Sequence, residues 1–182
     1  MKTSLQVNPN LKPERKIRYN PVMIGILSDS HDNLDAVRRA VRFFRDSDCR
    51  LIIHAGDFVA PFTARILEEA GCPVKAVFGN CDGEKSGLKT ALEPFGTIQK
   101  APLVFPYEGT KILVTHLNSL VENLAAHRKY GLIVFGHTHK TEIRSIGPTL
   151  IVNPGEAGGW VTGRSTVALF DPKTGVAEIH PL

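Results

Sequence analysis

Short apolar runs alternate with segments of helical periodicity along the first 135 residues of the chain. Each run is four to seven residues long and ends at a polar or glycine-containing break, which is typical of buried strands in a parallel sheet. Parallel strands are joined by crossover segments, and these are usually helices. On this pattern we predict strands at residues 22–28, 51–55, 73–78, 111–115 and 132–135.

Four segments between these strands have the spacing or the end signals of helices. The first is capped by Asn33 and repeats its apolar residues at intervals of three and four as far as Phe44. The second begins at Pro61 and ends at Gly71, which matches the preference for proline at a helix start and glycine after its end. The other two are a short helix near residues 86–95 and a helix marked by Leu117, Leu120, Val121 and Leu124.

The last forty residues have a different pattern, with short apolar segments separated by turn signals such as IGPT and DPKTG. Closely spaced strands of this kind predict antiparallel hairpins. The four segments are TEIRSI, TLIVN, STVALF and VAEIH. A parallel half followed by a hairpin half predicts an α/β fold with two packed sheets and helices outside.

A chain of 182 residues with 42% hydrophobic and 22% charged residues has the size and composition of one globular domain. No apolar run approaches the roughly 18 to 20 residues of a membrane-spanning helix, and the N-terminal residues lack a signal-peptide pattern. Cys49, Cys72 and Cys81 form no CxxC pair, which suits a reducing compartment. We therefore expect a cytoplasmic protein that does not associate with membranes.

The net charge of +4 is concentrated at one end of the chain. Residues 1–20 contain five basic residues and one acidic residue, so the remainder is neutral. This distribution favours a flexible, solvated extension at residues 1–20 and a folded domain at 21–182 over a basic binding surface. Nucleic acid is accordingly not expected as a partner.

Polar side chains with metal-binding atoms follow five of the predicted strands. They lie just past the carboxyl ends, where open α/β sheets bind ligands. Because side chains alternate in an extended backbone, Asp29 and His31 are predicted to point into one crevice, and so are His137 and His139. The full set of candidates is Asp29, His31, Asp57, Asn80, His116, His137 and His139.

Glycine precedes three of these donors, in the stretches HAGD, VFGN and VFGH, at Gly56, Gly79 and Gly136. Glycine at such a point lets the backbone turn sharply and come close to a bound ion. His54, inside the second predicted strand, is instead interpreted as a core imidazole or as one that supports a ligand.

Seven oxygen and nitrogen donors exceed the four ligands of tetrahedral zinc, and calcium prefers oxygen throughout. The set fits two ions that share one bridging carboxylate. Imidazole, carboxylate and amide donors suit manganese, iron, nickel, cobalt or zinc, and the order of affinities does not select among them. We predict two divalent metal ions as the cofactor, with manganese as first candidate and nickel, iron, cobalt or zinc as alternatives.

The order of these residues resembles the pattern of the calcineurin-like metallophosphoesterases, which is DxH, GD, GNxx, H and GHxH. It is met here by Asp29-Ser30-His31, Gly56-Asp57, Gly79-Asn80-Cys81-Asp82, His116 and Gly136-His137-Thr138-His139. By size and the GNCD variant, the chain is most similar to the small single-domain phosphodiesterases of that superfamily. The resemblance runs from residue 22 to about residue 170, nearly the whole of the predicted domain. It implies an α/β/β/α sandwich of four layers, with two packed mixed sheets and helices outside.

The resemblance also implies a function, the hydrolysis of a small-molecule phosphate ester, most typically a diester, by attack of metal-bound hydroxide. One metal ion would be held by Asp29, His31, Asp57 and His139, and the other by Asp57, Asn80, His116 and His137. The catalytic residues would be Asp57, Asn80 and His116, with Asp57 as the bridge. Asn80 and Cys81 would contact the substrate.

Two positions depart from the family pattern. Many relatives carry histidine where this chain has Cys81, and that histidine contacts phosphate and is suited to protonate the leaving group. A thiol with a pKa of about 8.5 is a poor substitute acid, which predicts weak action on esters with basic leaving groups. Leu117 stands where family members often have glycine.

Alternatives stay open at this stage. A eukaryotic retromer subunit that resembles this fold has lost key ligands and serves as a protein-binding scaffold, whereas the ligand set here is complete. The segment NPGEAGGW at residues 153–160 resembles a family loop near the site, but it is equally compatible with a plain hairpin connection. The sequence does not decide whether the chain forms a homo-oligomer.

Overall fold

Eleven β-strands and four α-helices form over residues 22–182, the part of the chain that the computed structural model describes. The strands are β1 (Met23–Leu27), β2 (Cys49–His54), β3 (Val74–Val77), β4 (Gly96–Gln99), β5 (Leu103–Tyr107), β6 (Thr110–Val114), β7 (Leu132–Val134), β8 (Thr141–Ile146), β9 (Thr149–Pro154), β10 (Thr166–Asp171) and β11 (Val176–Pro181). The helices are α1 (Leu34–Asp46), α2 (Pro61–Leu67), α3 (Lys85–Leu92) and α4 (Val121–Ala126). The predicted extension at residues 1–20 lies outside the described residues.

The strands form two mixed sheets. In the six-stranded sheet, of order β11-β10-β1-β2-β3-β4, strands β1 to β4 are parallel, β10 runs antiparallel to β1, and β11 runs antiparallel to β10. In the five-stranded sheet, of order β5-β6-β7-β9-β8, strands β6, β7 and β9 are parallel, with β5 and β8 antiparallel at the edges. Each sheet therefore takes one C-terminal hairpin. The parallel half and the hairpin half of the sequence each contribute strands to both sheets.

Two strands, β4 and β5, were not predicted from the apolar pattern. Both are edge strands, one in each sheet. Ile98 is the one buried residue of β4, and β5 contains Pro106, which weakens a strand pattern because proline cannot donate to the ladder. The other two edge strands, β8 and β11, contain no buried residue and were still predicted, because turn signals connect each of them to a hairpin partner.

Alternation along the strands distributes the apolar side chains over three cores. In β2, Ile52 joins the core beneath α1, α2 and α3, whereas Leu51 and Ile53 join the core between the two sheets. In β6, Ile112 joins the same inter-sheet core and Leu113 joins the core beneath α4. The layers are thus helices, sheet, sheet and helix, and the predicted α/β/β/α sandwich is confirmed.

The helix predicted around Leu117 to Leu124 is shorter than its apolar spacing suggested. A 3₁₀ turn spans Asn118–Leu120, and α4 begins only at Val121. Leu117 and Leu120 are 47% and 57% exposed and do not face a core. Among residues 22–182, none of the helices has both the length and the apolar character needed to span a lipid bilayer.

Helix α1 lies very close to β1. The helix begins after Asn33, whose side chain accepts a hydrogen bond from the backbone N–H of Ala36 at 3.2 Å. Phe44, in the last turn, covers Gly25, where an added Cβ would lie 2.6 Å from the aromatic ring. This contact fixes α1 on the sheet. It thereby positions the loop between β1 and α1, which carries two of the predicted donors.

We expect Gly25→Ala to lower the free energy of unfolding by about 1–3 kcal/mol, because the methyl group must displace the buried ring of Phe44. Urea denaturation followed by circular dichroism measures this change. Gly83→Ala is the matched control, since a Cβ there meets no atom within 4 Å. Equal stabilities of the two variants would contradict the packing role of Gly25.

Candidate metal centre

The seven predicted donors lie at one end of the sandwich, where parallel strands of both sheets end. The loops after β1, β2 and β3 belong to the six-stranded sheet, and the loops after β6 and β7 belong to the other. Across this boundary, Nε2 of His116 lies 3.3 Å from Oδ2 of Asp57. The backbone N–H of His137 donates to Oδ2 of Asp29 at 3.0 Å. The structure therefore brings donors from both sheets to one place.

Five of the donors have a left-handed backbone conformation. Their φ angles are 53° at Asp29, 42° at His31, 60° at Asp57, 69° at His137 and 59° at His139. We expected an extended backbone to aim the paired residues into one crevice. That explanation is wrong, because both members of each pair have a left-handed backbone. Aspartate and histidine enter this region more readily than most residues, yet each such position costs on the order of 1–3 kcal/mol. Strain of this kind persists only where the surrounding structure holds it.

Backbone hydrogen bonds between loops hold these conformations. The N–H of Asp29 donates to the carbonyl of Gly56 at 3.0 Å, and the N–H of His31 donates to the carbonyl of Asp57 at 3.1 Å. The loop after β1 is thereby tied to the loop after β2. Because β1 and β2 are adjacent and parallel, these bonds form only when the sheet is in register.

The three glycines of the repeated strand-end pattern are required by close contacts. A Cβ at Gly79 would lie 2.0 Å from Oδ1 of Asp57, and one at Gly56 would lie 2.6 Å from Nδ1 of His116. A Cβ at Gly136 would lie 2.0 Å from Oγ of Ser28. Glycine lets the backbone approach the donor side chains themselves.

A hydrogen bond holds the imidazole ring of His116 in one orientation. Its Nδ1 lies 2.8 Å from the carbonyl oxygen of Ala55, which can only accept, so Nδ1 carries a proton. Its Nε2 then points at Oδ1 of Asn80, at 2.9 Å, and at Oδ2 of Asp57, at 3.3 Å. The lone pairs of all three atoms point at one another, which is unfavourable unless a proton or a cation lies between them. These three side chains fit a metal ion.

A second group of donors surrounds Asp29. Nε2 of His31 is buried and has no hydrogen-bond partner among the described residues. It lies 3.9 Å from Oδ1 of Asp29 and 3.8 Å from Oδ2 of Asp57, while Nε2 of His139 lies 3.5 Å from the same Asp29 oxygen. Donor atoms of Asp29, His31 and His139 all lie within 4.8 Å of one another. Because a buried polar atom without a partner is costly, this group also fits a cation.

His137 is less closely associated with the other donors. Its imidazole is exposed and stands edge-on to the ring of His116, with the ring centroids 5.2 Å apart. Among the described residues, the groups of donor atoms within 4.8 Å of one another do not include it. The structure thus places His137 beside His116.

The negative charge of Asp57 dominates the electrostatics of the centre. Burial opposes ionisation, but hydrogen bonds from His116 and from the backbone N–H of Cys81, at 2.8 Å, hold the pKa of Asp57 well below its usual range. Burial lowers the pKa of His116. The hydrogen bond and the charge of Asp57 have a larger effect in the opposite direction, so the pKa of His116 is raised. Burial raises the pKa of Asp29. A cation in the centre would take the place of the His116 proton and compensate both carboxylates.

Asp82 supports the centre without facing it, and its role was not predicted. Its buried carboxylate accepts hydrogen bonds from the backbone N–H groups of Gly79 at 2.7 Å, Val59 at 2.8 Å and Asp57 at 3.2 Å. It therefore joins the loops that carry Asp57 and Asn80. Its only sequence signal was its place two residues after Asn80.

Glu156 holds the loop behind His139. Its buried carboxylate accepts backbone hydrogen bonds from Val161 and Thr162 at 2.9 Å, and Oε1 lies 3.5 Å from Nδ1 of His139. Burial favours a higher pKa for Glu156, but the hydrogen bonds from Val161 and Thr162 outweigh burial and lower the pKa. The segment 153–160 therefore lies beside the centre and is not a plain hairpin connection. A carboxylate behind a histidine can fix the ring orientation that a metal requires.

His54 is a buried core imidazole, as predicted. Its Nε2 lies 3.0 Å from Oγ of Ser30, and its Nδ1 accepts from the backbone N–H of Gly56 at 3.2 Å. The ring stacks on Phe58 at a centroid distance of 3.5 Å. Complete burial lowers its pKa well below the usual value, so the ring is neutral and bridges the two loops.

Cys81 and Asn80 form the exposed edge of the centre. Sγ of Cys81 lies 3.3 Å from Nδ2 of Asn80. Partial burial and the nearby charge of Asp57 raise the pKa of the thiol to about 11. The thiol is therefore protonated at neutral pH and is an even weaker acid than a free cysteine.

Comparison with known proteins identifies relatives over most of the chain. The model of the calcineurin-like phosphoesterase superfamily domain matches residues 22–175. The chain is 33% identical over 152 residues to phosphodiesterase MJ0936 of Methanocaldococcus jannaschii, and the alignment covers 81% of this chain and 92% of that protein.

Solved structures share the fold. A novel archaeal phosphodiesterase superposes with a TM-score of 0.83 at 31% identity, over 88% of this chain and 99% of that chain. Vacuolar Protein Sorting 29 from Cryptosporidium parvum superposes with a TM-score of 0.65 at 16% identity, over 89% of this chain and 97% of that chain. The second likeness, at low identity, concerns the fold alone.

We expect Asp82→Asn to lower the free energy of unfolding by about 2 kcal/mol, because an amide NH₂ would face a buried backbone N–H and leave it unsatisfied. Urea denaturation measures the change. Asp35→Asn is the control, because Asp35 is exposed and its ion pair with Arg38 contributes less than about 1 kcal/mol. An Asp82→Asn protein as stable as this control would exclude the supporting role.

Proposed function

The chain belongs to the calcineurin-like phosphoesterase superfamily, and on this premise we propose that it is a phosphodiesterase that works with two divalent metal ions. The observation that carries the proposal is the convergence of donors on Asp57. One of its carboxylate oxygens, Oδ2, lies 3.3 Å from Nε2 of His116 and 3.8 Å from Nε2 of His31. A single carboxylate between two imidazole groups is suited to bridge two cations.

The two groups of donors divide around this bridge. We propose that one ion is held by Asp29, His31, Asp57 and His139, and the other by Asp57, Asn80, His116 and His137. The short distances from His116 to Asn80 and Asp57 support the second group, and the partnerless Nε2 of His31 supports the first. Manganese is the first candidate, with nickel, iron, cobalt or zinc as alternatives.

Two divalent ions held by these residues would supply a nucleophilic hydroxide at neutral pH and would stabilise the charge of an in-line displacement at phosphorus. The protein side chains position these components. Asp29 and Asp57 provide two negative charges against four positive ones, which leaves an excess suited to an anionic ester. Asn80 and Cys81, at the exposed edge, are placed to contact a substrate phosphate. No protein nucleophile is required.

The proposal of a diester substrate rests on similarity and on Cys81. The relative from Methanocaldococcus jannaschii is named a phosphodiesterase. Because Cys81 stands where many relatives carry histidine, the site has no imidazole at this position to protonate a basic leaving group. The scaffold alternative is less favoured, because all seven donors are present and five of them are held at a cost in backbone strain, which surface recognition alone does not require.

The function is tested by metal reconstitution. Protein depleted of metal with a chelator is assayed against bis(p-nitrophenyl) phosphate and p-nitrophenyl phosphate, with each divalent ion restored in turn. We expect diester hydrolysis to rise at least about 100-fold on restoration, with the diester turned over faster than the monoester. Retained metal with no hydrolysis of either ester would favour the scaffold.

Asp57→Asn provides the matched variant for this assay. It removes the bridging charge, so we expect loss of both ions by mass spectrometry and less than about 1% of the activity. Asp35→Asn, which makes the same change at an exposed residue, is expected to keep both. Near-normal turnover by Asp57→Asn would refute the assigned bridge.

A second prediction concerns the leaving group. Wild-type protein is expected to hydrolyse an aryl diester much faster than an alkyl phosphate, because the Cys81 thiol is a poorer general acid than the histidine that many relatives carry at this position. Cys81→His is expected to raise kcat/KM for the alkyl ester about tenfold or more, since an imidazole can donate a proton near neutral pH. Cys81→Ser is the control without an added acid. Alkyl turnover by the wild type that equals its aryl turnover would contradict this role.

A further inference from the structure

A cavity of about 590 Å³ opens beside the metal centre. It is bounded by α3, α4 and the segments that follow β3, β4 and β6. Asn80 and His116 line both the cavity and the centre, so the two spaces are continuous. A volume of this size suits one part of a small ligand and is too small for a folded protein segment.

One side of the cavity is cationic. Lys85 and Lys89 are four residues apart on α3 and share a helix face, and Lys100 approaches from the segment after β4. Within residues 22–182, none of these three lysines takes part in an ion pair. In this described part of the chain, no aspartate or glutamate lines the cavity. The cavity therefore has a positive charge that no lining residue compensates.

The other side is apolar. Leu117, Leu120 and Leu124 line it, whereas Phe78 lies beneath Lys85, whose Nζ is 5.8 Å from the centroid of its ring. Leu117 and Leu120 are the residues that the sequence pattern assigned to the buried face of a helix, yet both are about half exposed. Leu117 has an extended backbone, with φ −79° and ψ 142°, so its side chain is accommodated where relatives often have glycine. These leucines form a wall available to a ligand.

The geometry points to a substrate subsite that holds one esterified group of a phosphodiester, an apolar group that carries a second anion. A phosphate at Asn80 and His116 directs one of its two ester groups towards the cavity. The apolar body of that group would cover the leucines, and its anion would meet Lys85, Lys89 and Lys100. This assignment rests on the proposed function, because the subsite acts only beside a bound phosphate.

The charge distribution selects this class of occupant over others. A neutral or cationic ester group would leave three lysines without a counterion or would be repelled by them. An extended nucleic acid would need basic residues along a much longer surface, and the chain beyond residue 20 has no net charge. A small dianionic ligand with an apolar body would pair its second anion with the lysines and cover the leucines with its apolar body.

The subsite is tested by ligand binding, which does not depend on turnover. Dissociation constants of phenylphosphonate and 4-carboxyphenylphosphonate are measured by calorimetry on the manganese-supplied protein. The two ligands differ only in the carboxylate. We expect the carboxylated ligand to bind about tenfold more tightly, since each lysine at a partly exposed site contributes a few-fold in affinity.

Substitutions inside and outside the cavity distinguish binding in the subsite from a general effect of the protein's charge. Lys89→Met and Lys100→Met are each expected to reduce the preference for the carboxylated ligand about threefold, and Leu120→Glu to abolish it. Leu120 is exposed, so this change does not disturb a core. Lys129→Met is the matched control, because Lys129 precedes β7 at the opposite end of that strand from the centre and does not line the cavity.

Equal dissociation constants for the two ligands would overturn the subsite. So would absence of binding of the carboxylated ligand, or a preference that survives all three cavity substitutions. The hydrolysis assay on metal-restored protein gives an independent result. Selective binding without hydrolysis of any ester would reject the proposed function and leave the subsite intact, whereas hydrolysis without selective binding would reject the subsite alone.

Discussion

The buried carboxylate of Asp57 is the group on which the arrangement of the centre depends. A buried charge is tolerated only when it is hydrogen-bonded and paired, and Asp57 obtains both from different sheets. The backbone N–H of Cys81 donates to it from the loop after β3, and His116 approaches from the end of β6. Gly79 is required for the same reason, because a Cβ there would collide with this carboxylate. One side chain therefore couples the packing of the two sheets to the geometry of the site.

Two other buried carboxylates stabilise the loops from behind. Asp82 collects backbone N–H groups beside Asp57, and Glu156 does the same beside His139. Such bonds compensate for the left-handed backbone at the donors, which would be unfavourable in an isolated loop. At Asp57 the strain is maintained by hydrogen bonds between loops, since the backbone N–H groups of Asp57 and Val59 donate to Asp82. This division of roles leaves the donors free to face a cation or a substrate while other residues hold the backbone.

Most of the fold could be predicted from periodicity, because central strands and α1 bury enough apolar surface to impose a regular pattern. Strands β4 and β5 were missed, whereas the other two edge strands, β8 and β11, were found from the turn signals that connect them to their hairpin partners. Leu117 and Leu120 follow a helical spacing but line a cavity. The donors were identified from their positions after strands, whereas Asp82 and Glu156 were not, because an acidic residue that binds backbone N–H groups has no distinctive spacing. The lysines of the cavity come from two separated segments, and no local pattern relates them.

The sequence by itself determined the layered α/β architecture, the set of seven donors and their order along the chain, since these follow from local periodicity and from residue type. Only the tertiary structure decided how the donors meet. The paired residues were expected to converge through an extended backbone, yet they converge through left-handed turns that inter-loop hydrogen bonds hold. The shared position of Asp57 between two groups and the cavity beside Asn80 likewise arise from the packing of two sheets. Contacts between residues far apart in the chain are made by the folded backbone, and local sequence carries no record of their distances.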